Sequence, residues 1–274
     1  MSSRERVYLA IDVGASKTLL AIFSADGKII HQFKFATPSG YDKFIEQLGK
    51  TVKAEFSGQN PIMACCAIPG IVDRRRGTGR VFGNLSWHNV PIKDDLQREL
   101  GLAVLVENDA NLAGLAEALV HKRYKKVIYL TFSTGIGSGI IVNGKIDPAL
   151  ADSEAGFMLI EHHGKIAPWE DFASGETLKK RYGQLASEIE DPLIWEAYAK
   201  DVAAGLSVLL AVIQPDVVIV GGGVGAHFEK FSDALVHQLN SHPHRMFDIP
   251  PIVKARHAEQ AVIYGCYEYI KQNI

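Results

Sequence analysis

The sequence has little of three features that would each indicate a specialised class of protein. No apolar run approaches the roughly 20 residues that a transmembrane helix needs, and the polar residues 1–6 lead into a strand pattern instead of a signal peptide. The formal net charge is only -2, and no basic block offers a surface for nucleic acid or an anionic membrane. These absences predict a cytoplasmic protein that binds a small polar ligand.

Cysteine is also scarce, with three residues in the chain. Cys65 and Cys66 adjoin in an apolar strand pattern and Cys266 lies in the last helical pattern, so they provide neither a disulfide framework nor metal-ligand spacing. The histidines within residues 162–163 and 242–244 lack companion ligands at a metal-binding spacing. Buried thiols and surface histidines are therefore predicted.

The length and a repeated pattern predict two related domains. A chain of 274 residues with 47% hydrophobic residues exceeds the usual length of a single core. A series of strand, glycine-containing loop, strand, tight turn and strand occurs within residues 7–35 and again within 127–146, each followed by alternating helices and strands. We expect two α/β lobes, residues 1–107 and 108–258, with a ligand cleft between them. A closing helix at residues 259–274 is expected to complete the first lobe.

Other segments have a less regular pattern. Residues 74–76 are three arginines and are interpreted as the solvated tip of a hairpin, without a functional role. Residues 77–83 contain three glycines and are interpreted as a turn region, followed by a polar and aromatic loop at 84–88. Helical spacing is clear at residues 41–56 and 197–213.

The first glycine-containing loop, residues 12–18, follows a buried strand pattern. It has no bulky side chain before Lys17, so its N–H groups can approach an anion closely. Asp12, at the end of the strand, can organise a hydrated Mg²⁺. An ordinary polar turn in which Asp12 accepts from loop amides is the alternative.

Two further glycine loops follow strands in the second half. Residues 131–139 present N–H groups and the hydroxyls of Ser133 and Thr134, but no helix follows, as a dinucleotide-binding fingerprint would require. Residues 221–225 precede a helical pattern, where glycines allow a flat ring or a phosphate to lie against the backbone. Close packing of strand on helix would explain the same glycines.

Four polar residues cluster where a strand pattern gives way to a helix: Glu107, Asn108, Asp109 and Asn111. An Asn or Asp N-cap accounts for one of them without any chemistry. The others lie at the carboxyl end of a strand, where α/β enzymes place their ligands. A carboxylate there can accept the proton of a hydroxyl that attacks a γ-phosphoryl group.

Taken in order, these segments resemble the ROK family of bacterial sugar kinases, whose fold is that of the actin-like ATPase superfamily. The resemblance covers essentially the whole chain and rests on residues 12–18, 67–73, 84–87, 106–111, 134–137 and 221–223. It implies an α/β fold built by duplication of a ribonuclease H-like lobe. It also implies an ATP- and Mg²⁺-dependent kinase for a hexose or amino sugar, with glucose as the first candidate.

The resemblance implies a role for particular residues. Asp109 corresponds to the catalytic base, and Asp12 would hold Mg²⁺ through water. Contacts to the sugar are implied for Gly70, Asn84, Asn108, Asp109, Glu154 and Glu170. Contacts to the nucleotide are implied for Asp12, Gly14, Ala15, Ser16, Lys17, Thr18, Thr134, Gly135, Gly137, Gly222 and Gly223.

Phe157 is the main departure from the family pattern. Many members have a histidine there that bonds the sugar and, with three cysteines, ligates a structural zinc. This chain has neither that histidine nor any cysteine between residues 67 and 265. The resemblance thus implies a zinc-free variant, in which residues 161–169 are expected to be held by packing of Phe157 and Trp169. The lost donor, a contact of roughly 1–3 kcal/mol, predicts altered specificity at that end of the sugar ring.

Other functions are compatible with the same sequence. One is a catalytically silent sugar sensor, although only six residues precede Val7, too few for the DNA-binding extension that regulators of this family carry. The others are kinases for fructose, N-acetylmannosamine or N-acetylglucosamine, or a kinase that uses polyphosphate. No nucleic-acid or membrane partner is predicted, and the resemblance makes a homodimer an expectation to test.

Overall fold

The structure, a computed structural model, describes residues 6–241, 247–257 and 260–274. The histidines at 242–244 lie outside the described residues. The chain forms two compact units. The first runs to Ala116 and includes Gln260–Ile274, and the second begins at Glu117. Because the boundary falls inside a helix, Asp109 and the first two turns of that helix belong to the first unit.

The first unit is built on a five-stranded mixed sheet. Its elements are β1 (Val7–Val13), β2 (Lys17–Ser24), β3 (Ile29–Ala36), α1 (Tyr41–Glu55), β4 (Met63–Ile68), β5 (Ile71–Asp73), β6 (Thr78–Phe82), β7 (Leu85–Val90), α2 (Ile92–Leu100), β8 (Ala103–Asn108) and α3 (Asp109–Val120). The strand order is β3-β2-β1-β4-β8, with β1 to β3 antiparallel and β1, β4 and β8 parallel. Helices α1 and α2 cover one face and the last helix of the chain covers the other, so the central strands are apolar on both sides.

The second unit repeats this order. Its elements are β9 (Lys126–Phe132), β10 (Ile136–Val142), β11 (Lys145–Ile146), β12 (Leu159–His162), β13 (Lys165–Pro168), α4 (Glu170–Ala173), α5 (Gly175–Tyr182), α6 (Pro192–Ile213), β14 (Val217–Gly221), α7 (Gly222–Gly225), α8 (Ser232–Asn240) and β15 (Ile252–Lys254). The sheet order is β11-β10-β9-β14-β15, with β9 to β11 antiparallel and β9, β14 and β15 parallel. The same order and directions in both sheets confirm the predicted α/β duplication.

The last helix, α9 (Ala261–Gln272), returns to the first unit and packs on β1 and β4. The Tyr267 ring stacks on Phe23 with a centroid distance of 5.1 Å. Glu259, where this helix was expected to begin, lies outside the described residues. Among the helices that the structure describes, none is long and apolar enough to cross a membrane.

The interpretation of residues 77–88 as a turn and a loop is wrong, because β6 and β7 form an antiparallel hairpin there. Leu85 and Trp87 are buried while Ser86 and His88 are exposed. This is the two-residue alternation of a strand with one solvated face. The polar outer residues concealed it in the sequence.

Helix α6 begins at Pro192, five residues before the expected start. The Asp191 carboxylate caps it by accepting from the Leu193 N–H at 2.9 Å. Proline is favoured in the first turn because its missing N–H has no intrahelical partner. The Asp-Pro pair is therefore the start signal, rather than the apolar run that follows.

Candidate active site

Two carboxylates meet at one edge of the first sheet. Asp12 is the next-to-last residue of β1 and Asp109 follows β8, with β4 between the two strands. Asp12 is in register with Ala67, and Ala67 with Glu107, so the carboxyl ends of the three parallel strands are level. Both aspartates are half-buried. The structure thus brings together the residues that were expected to hold the metal and to act as base.

Burial controls the acidity of this pair. It raises the pKa of Asp12 to about 7, with the nearby Asp109 carboxylate adding to the increase and Lys34 opposing it. Burial also raises the pKa of Asp109 to about 6, while backbone N–H groups, including that of Ala110 at 2.8 Å, oppose the increase. Two neighbouring buried carboxylates with a raised pKa bind protons or cations readily. The pair therefore fits a divalent cation.

Glu107 anchors the strand end beside this pair. Its side chain is fully buried and accepts from Arg74 Nε at 2.7 Å and Nη2 at 2.6 Å. It also accepts from the Asn108 N–H at 2.8 Å and from Asn111 Nδ2 at 3.1 Å. The interpretation of Arg74 as a solvated residue without a role is therefore wrong, because its guanidinium neutralises a buried carboxylate.

Asn108 and Gly70, which were both expected to contact the sugar, are joined by a hydrogen bond. Asn108 Nδ2 donates to the Gly70 carbonyl at 3.0 Å, and its Oδ1 accepts from the Asn111 N–H at 3.0 Å. Gly70 has a φ of +118°, and a Cβ there would lie 2.2 Å from the Val81 carbonyl oxygen. Only glycine fits this position. Asn84 lies exposed at the turn between β6 and β7.

The first glycine loop is a tight turn between β1 and β2. The Gly14 N–H donates to the Lys17 carbonyl at 3.0 Å, while Ala15, Ser16 and Lys17 are exposed. Thr18 was expected in the phosphate loop, but it is buried in β2, and its hydroxyl lies 2.9 Å from that of Thr37. The Thr18 hydroxyl therefore supports the turn through Thr37. The exposed residues before Thr18 remain available to an anion.

In the second unit, Glu170 meets the loop between β9 and β10. Its Oε2 accepts from the Ile136 N–H at 3.1 Å. A Cβ on Gly135 would lie 2.6 Å from this oxygen, and a Cβ on Gly156 would lie 3.1 Å from it. Glycines are needed where the carboxylate passes so close. Glu170 therefore links the Gly135 loop to the segment that follows Glu154.

The remaining loop residues differ in accessibility. Thr134 is exposed in the β9–β10 turn, whereas Gly137 is part of β10. Gly222 has a φ of +81°, and a Cβ there would lie 2.5 Å from the Phe132 carbonyl oxygen. Close packing therefore explains Gly222, while Gly223 has open space beside its Cα. The half-buried Glu154 precedes the short 3₁₀ turn Ala155–Phe157.

Of the two aromatic residues that were expected to hold residues 161–169 by packing, only Trp169 is buried. Phe157 is 61% exposed, so the prediction that its packing holds residues 161–169 is wrong. Trp169 is fully buried and donates from Nε1 to the Asp201 carbonyl at 3.1 Å. Among the described residues, no group of three or more His, Cys, Asp or Glu side chains is placed to hold a metal.

Lys34 was not predicted at this site. Asp12 is opposite Leu19 and Leu19 is opposite Lys34, so the three side chains share one face of the antiparallel strands. The positive charge of Lys34 lowers the pKa of Asp12. The strand register could have indicated this proximity, but the sequence did not establish the register.

The two units have the fold of sugar kinases of the actin-like ATPase type. A crystal structure of a ROK family glucokinase from Streptomyces griseus, in complex with glucose and AMPPNP, matches with a TM-score of 0.83 and 24% identity, over 97% of this chain and 99% of that one. The sequence model of the ROK family matches residues 8–273. The chain belongs to the ROK family, as its motifs predicted.

Curated relatives agree with this assignment. An N-acetyl-D-glucosamine kinase of Haemophilus influenzae is 25% identical, over 94% of this chain and 97% of the relative. A glucokinase of Streptomyces coelicolor is 26% identical, over 79% of this chain and 81% of the relative. The predicted class, a sugar kinase, is confirmed, but the two names differ in the sugar.

The raised pKa of Asp12 predicts a stability change in Asp12→Asn. The pKa of Asp12 is about 7 in the folded protein, whereas the ordinary value of 3.8 applies to the unfolded chain. Between these two pH values, only the folded state holds the proton. The free energy of unfolding therefore falls as the pH rises from 3.8 to about 7. Above about pH 7, the stabilisation that protonated Asp12 provides is lost completely. Asp12→Asn is expected to be more stable than wild type at pH 8 by a few kcal/mol, and less so at pH 5.

Denaturant unfolding at the two pH values, without divalent cations, measures this difference. Asp26→Asn is the matched control, because Asp26 is exposed and its pKa is lowered by Ser24 and Lys28. It should be no more stable than wild type at pH 8. Equal stability of Asp12→Asn and wild type at both pH values would contradict the assigned pKa.

Proposed function

We propose that this protein is an ATP- and Mg²⁺-dependent kinase that phosphorylates the primary hydroxyl of a hexose or amino sugar, with glucose as the first candidate. The observation that carries the proposal is the pair of half-buried carboxylates at the ends of β1 and β8, both with a raised pKa. One can hold a cation while the other accepts a proton. The kinase relatives support the same reaction.

In the first unit, Asp109 would accept the proton of the sugar hydroxyl as that oxygen attacks phosphorus. Its Oδ1 accepts from the Ala110 N–H, which fixes the carboxylate at the start of α3. Asn108 would bond a sugar hydroxyl with the part of its amide that Gly70 and Asn111 leave available. Gly70 and Asn84 would line the sugar.

Asp12 would hold Mg²⁺ through water, and the cation would neutralise charge on the transferred phosphoryl group. The exposed turn Ala15–Lys17 offers N–H groups and the Lys17 ammonium to phosphate oxygens. Gly14 closes this turn through its bond to Lys17 and so presets its shape. The role of Thr18 would be to brace the turn through Thr37.

The second unit would contribute from its own loops. Thr134 and Gly135 in the β9–β10 turn would bind phosphate, and the open surface beside Gly223 would accept the adenosine. Glu154 and Glu170 would accept hydrogen bonds from sugar hydroxyls. Because carboxylates bond hydroxyl donors strongly, this pair would contribute to the choice of sugar.

The test is ADP production with ATP and Mg²⁺ across glucose, mannose, fructose, allose, glucosamine, N-acetylglucosamine and N-acetylmannosamine. Glucose is expected to be turned over with the highest kcat/KM. A parallel series with polyphosphate instead of ATP tests the donor. Sugar binding by calorimetry without turnover of any sugar would overturn the kinase proposal and favour a sensor.

A further inference from the structure

Asp201, in α6, joins three elements of the second unit. Its side chain is only 8% exposed. Oδ1 lies 2.9 Å from His162 Nε2 in β12, and Oδ2 accepts from Arg181 Nη1 in α5 at 2.6 Å. Its backbone carbonyl accepts from Trp169 Nε1. One buried residue thus connects α6 to β12 and α5 through its carboxylate, and to the residue before α4 through its backbone carbonyl.

Phe172 completes the group. Its ring stacks on His162 with a centroid distance of 4.1 Å and an interplanar angle of 9°. Its carbonyl accepts from Arg181 Nη2 at 3.2 Å. Because Phe172 belongs to α4, the contacts fix this short helix as well as the β12–β13 hairpin. We call Asp201, His162, Arg181, Trp169 and Phe172 the Asp201 cluster.

Two members of the cluster, His162 and Trp169, lie on the part of the chain that connects Glu154 to Glu170. The β12–β13 hairpin runs between them, and the Trp169 N–H closes its base by donating to the Met158 carbonyl at 2.9 Å. Glu170 directly follows Trp169. Any movement of the hairpin or of α4 would therefore change the separation of the two carboxylates.

The residues of this segment do not fit the structural zinc that many members of the family hold. The position of the family histidine is taken by Phe157, which is 61% exposed and has no metal-binding atom. The chain has no cysteine between residues 67 and 265. A structural zinc needs four donors of the histidine, thiolate or carboxylate type. In the part of the chain that the structure describes, not even three such side chains are grouped so that they could hold a metal ion.

We propose that the Asp201 cluster replaces the structural zinc and that Asp201 is a positioning residue for the Glu154–Glu170 pair. A metal cross-links a loop by binding ligands from several segments, and a buried carboxylate with two charged or polar partners does the same through hydrogen bonds. The inference rests on the proposed function only in assuming that Glu154 and Glu170 bind the sugar. The cross-link itself is independent of the reaction.

The test compares Asp201→Asn with wild type after the preferred sugar is known. Asp201→Asn keeps the shape of the side chain but loses the charge that holds Arg181 and His162. The KM for the sugar and its calorimetric Kd are expected to rise at least about tenfold, with kcat and the KM for ATP changed by less than about threefold. Glu196→Gln, an exposed charge loss in the same helix, should behave as wild type.

Hydrogen exchange provides a readout that does not need turnover. Exchange at residues 159–173 is expected to accelerate in Asp201→Asn and to stay unchanged in Glu196→Gln. Unchanged exchange in Asp201→Asn would overturn the proposed role of the Asp201 cluster. Accelerated exchange in the variant, together with no turnover of any sugar by wild type, would overturn only the proposed function. If Asp201→Asn does not fold, Arg181→Met replaces it with the same expectations.

Metal analysis tests the replacement of zinc directly. Purified wild-type protein is expected to contain no stoichiometric zinc, and treatment with a zinc chelator followed by addition of Mg²⁺ should leave the KM for the sugar unchanged. One zinc per chain, or a raised KM after chelation, would overturn the proposal. An unchanged sugar KM and Kd in folded Asp201→Asn would also overturn it.

Discussion

Asp109→Asn is expected to lower kcat by about 10²- to 10⁴-fold, the range that a general base contributes. Asparagine has nearly the same shape and its Oδ1 can still accept from the Ala110 N–H, which lies 2.8 Å away in the wild type. It cannot accept the proton of the sugar hydroxyl. Sugar affinity should therefore stay within a few-fold of wild type, since α3 and its neighbours keep their places.

ADP production and calorimetry measure the two effects separately. Asp94→Asn, an exposed carboxylate in α2, is the control and should retain wild-type kcat. Near-normal turnover by Asp109→Asn would rule out Asp109 as the base.

The same assignment predicts the acid limb of the pH profile. Only the ionised carboxylate accepts a proton, and the pKa of Asp109 is about 6. The kcat/KM of wild type should therefore be lost progressively as pH falls through about 6.

Arg74→Leu is expected to lower the free energy of unfolding by about 3–5 kcal/mol, because it leaves the buried Glu107 charge without its partner. The Glu107 side chain is 1% exposed, and Arg74 donates to both of its oxygens. Activity should fall as well, since Glu107 also accepts from the Asn108 N–H and from Asn111 at the start of α3.

Denaturant unfolding checks this prediction, with Arg75→Leu as the matched control. Arg75 is exposed, and its replacement should change stability by no more than about 0.5 kcal/mol. Adding Glu107→Gln to Arg74→Leu removes the stranded charge and should restore part of the loss. Equal effects of Arg74→Leu and Arg75→Leu would show that the ion pair is not needed.

The candidate site was only partly predictable, and Asp12 and Thr18 illustrate the difference. A carboxylate at the end of an apolar strand is a local pattern, and parallel strands bring such ends to one edge. The hydroxyl of Thr18 belongs to the same motif, but its direction depends on the pairing with Thr37, 19 residues away. Only the register of the strands settles which side chains of a loop are accessible.

The contacts that hold the site were missed for the same reason. Arg74 is 33 residues from Glu107, and His162 is 39 residues from Asp201. Nothing in the local pattern distinguishes Arg74 from its neighbours Arg75 and Arg76. A charge becomes a structural partner only when the fold places a buried opposite charge beside it.

The sequence by itself determined the class of fold and the family of this protein. Apolar periodicity, turn residues and small-residue loops act over a few residues, and their order along the chain is specific. Tertiary structure alone decided that Arg74 is an anchor, that Phe157 is exposed and that Asp201 joins three elements. These properties depend on burial and on long-range pairing, which are set when strands and helices pack and which no local pattern contains.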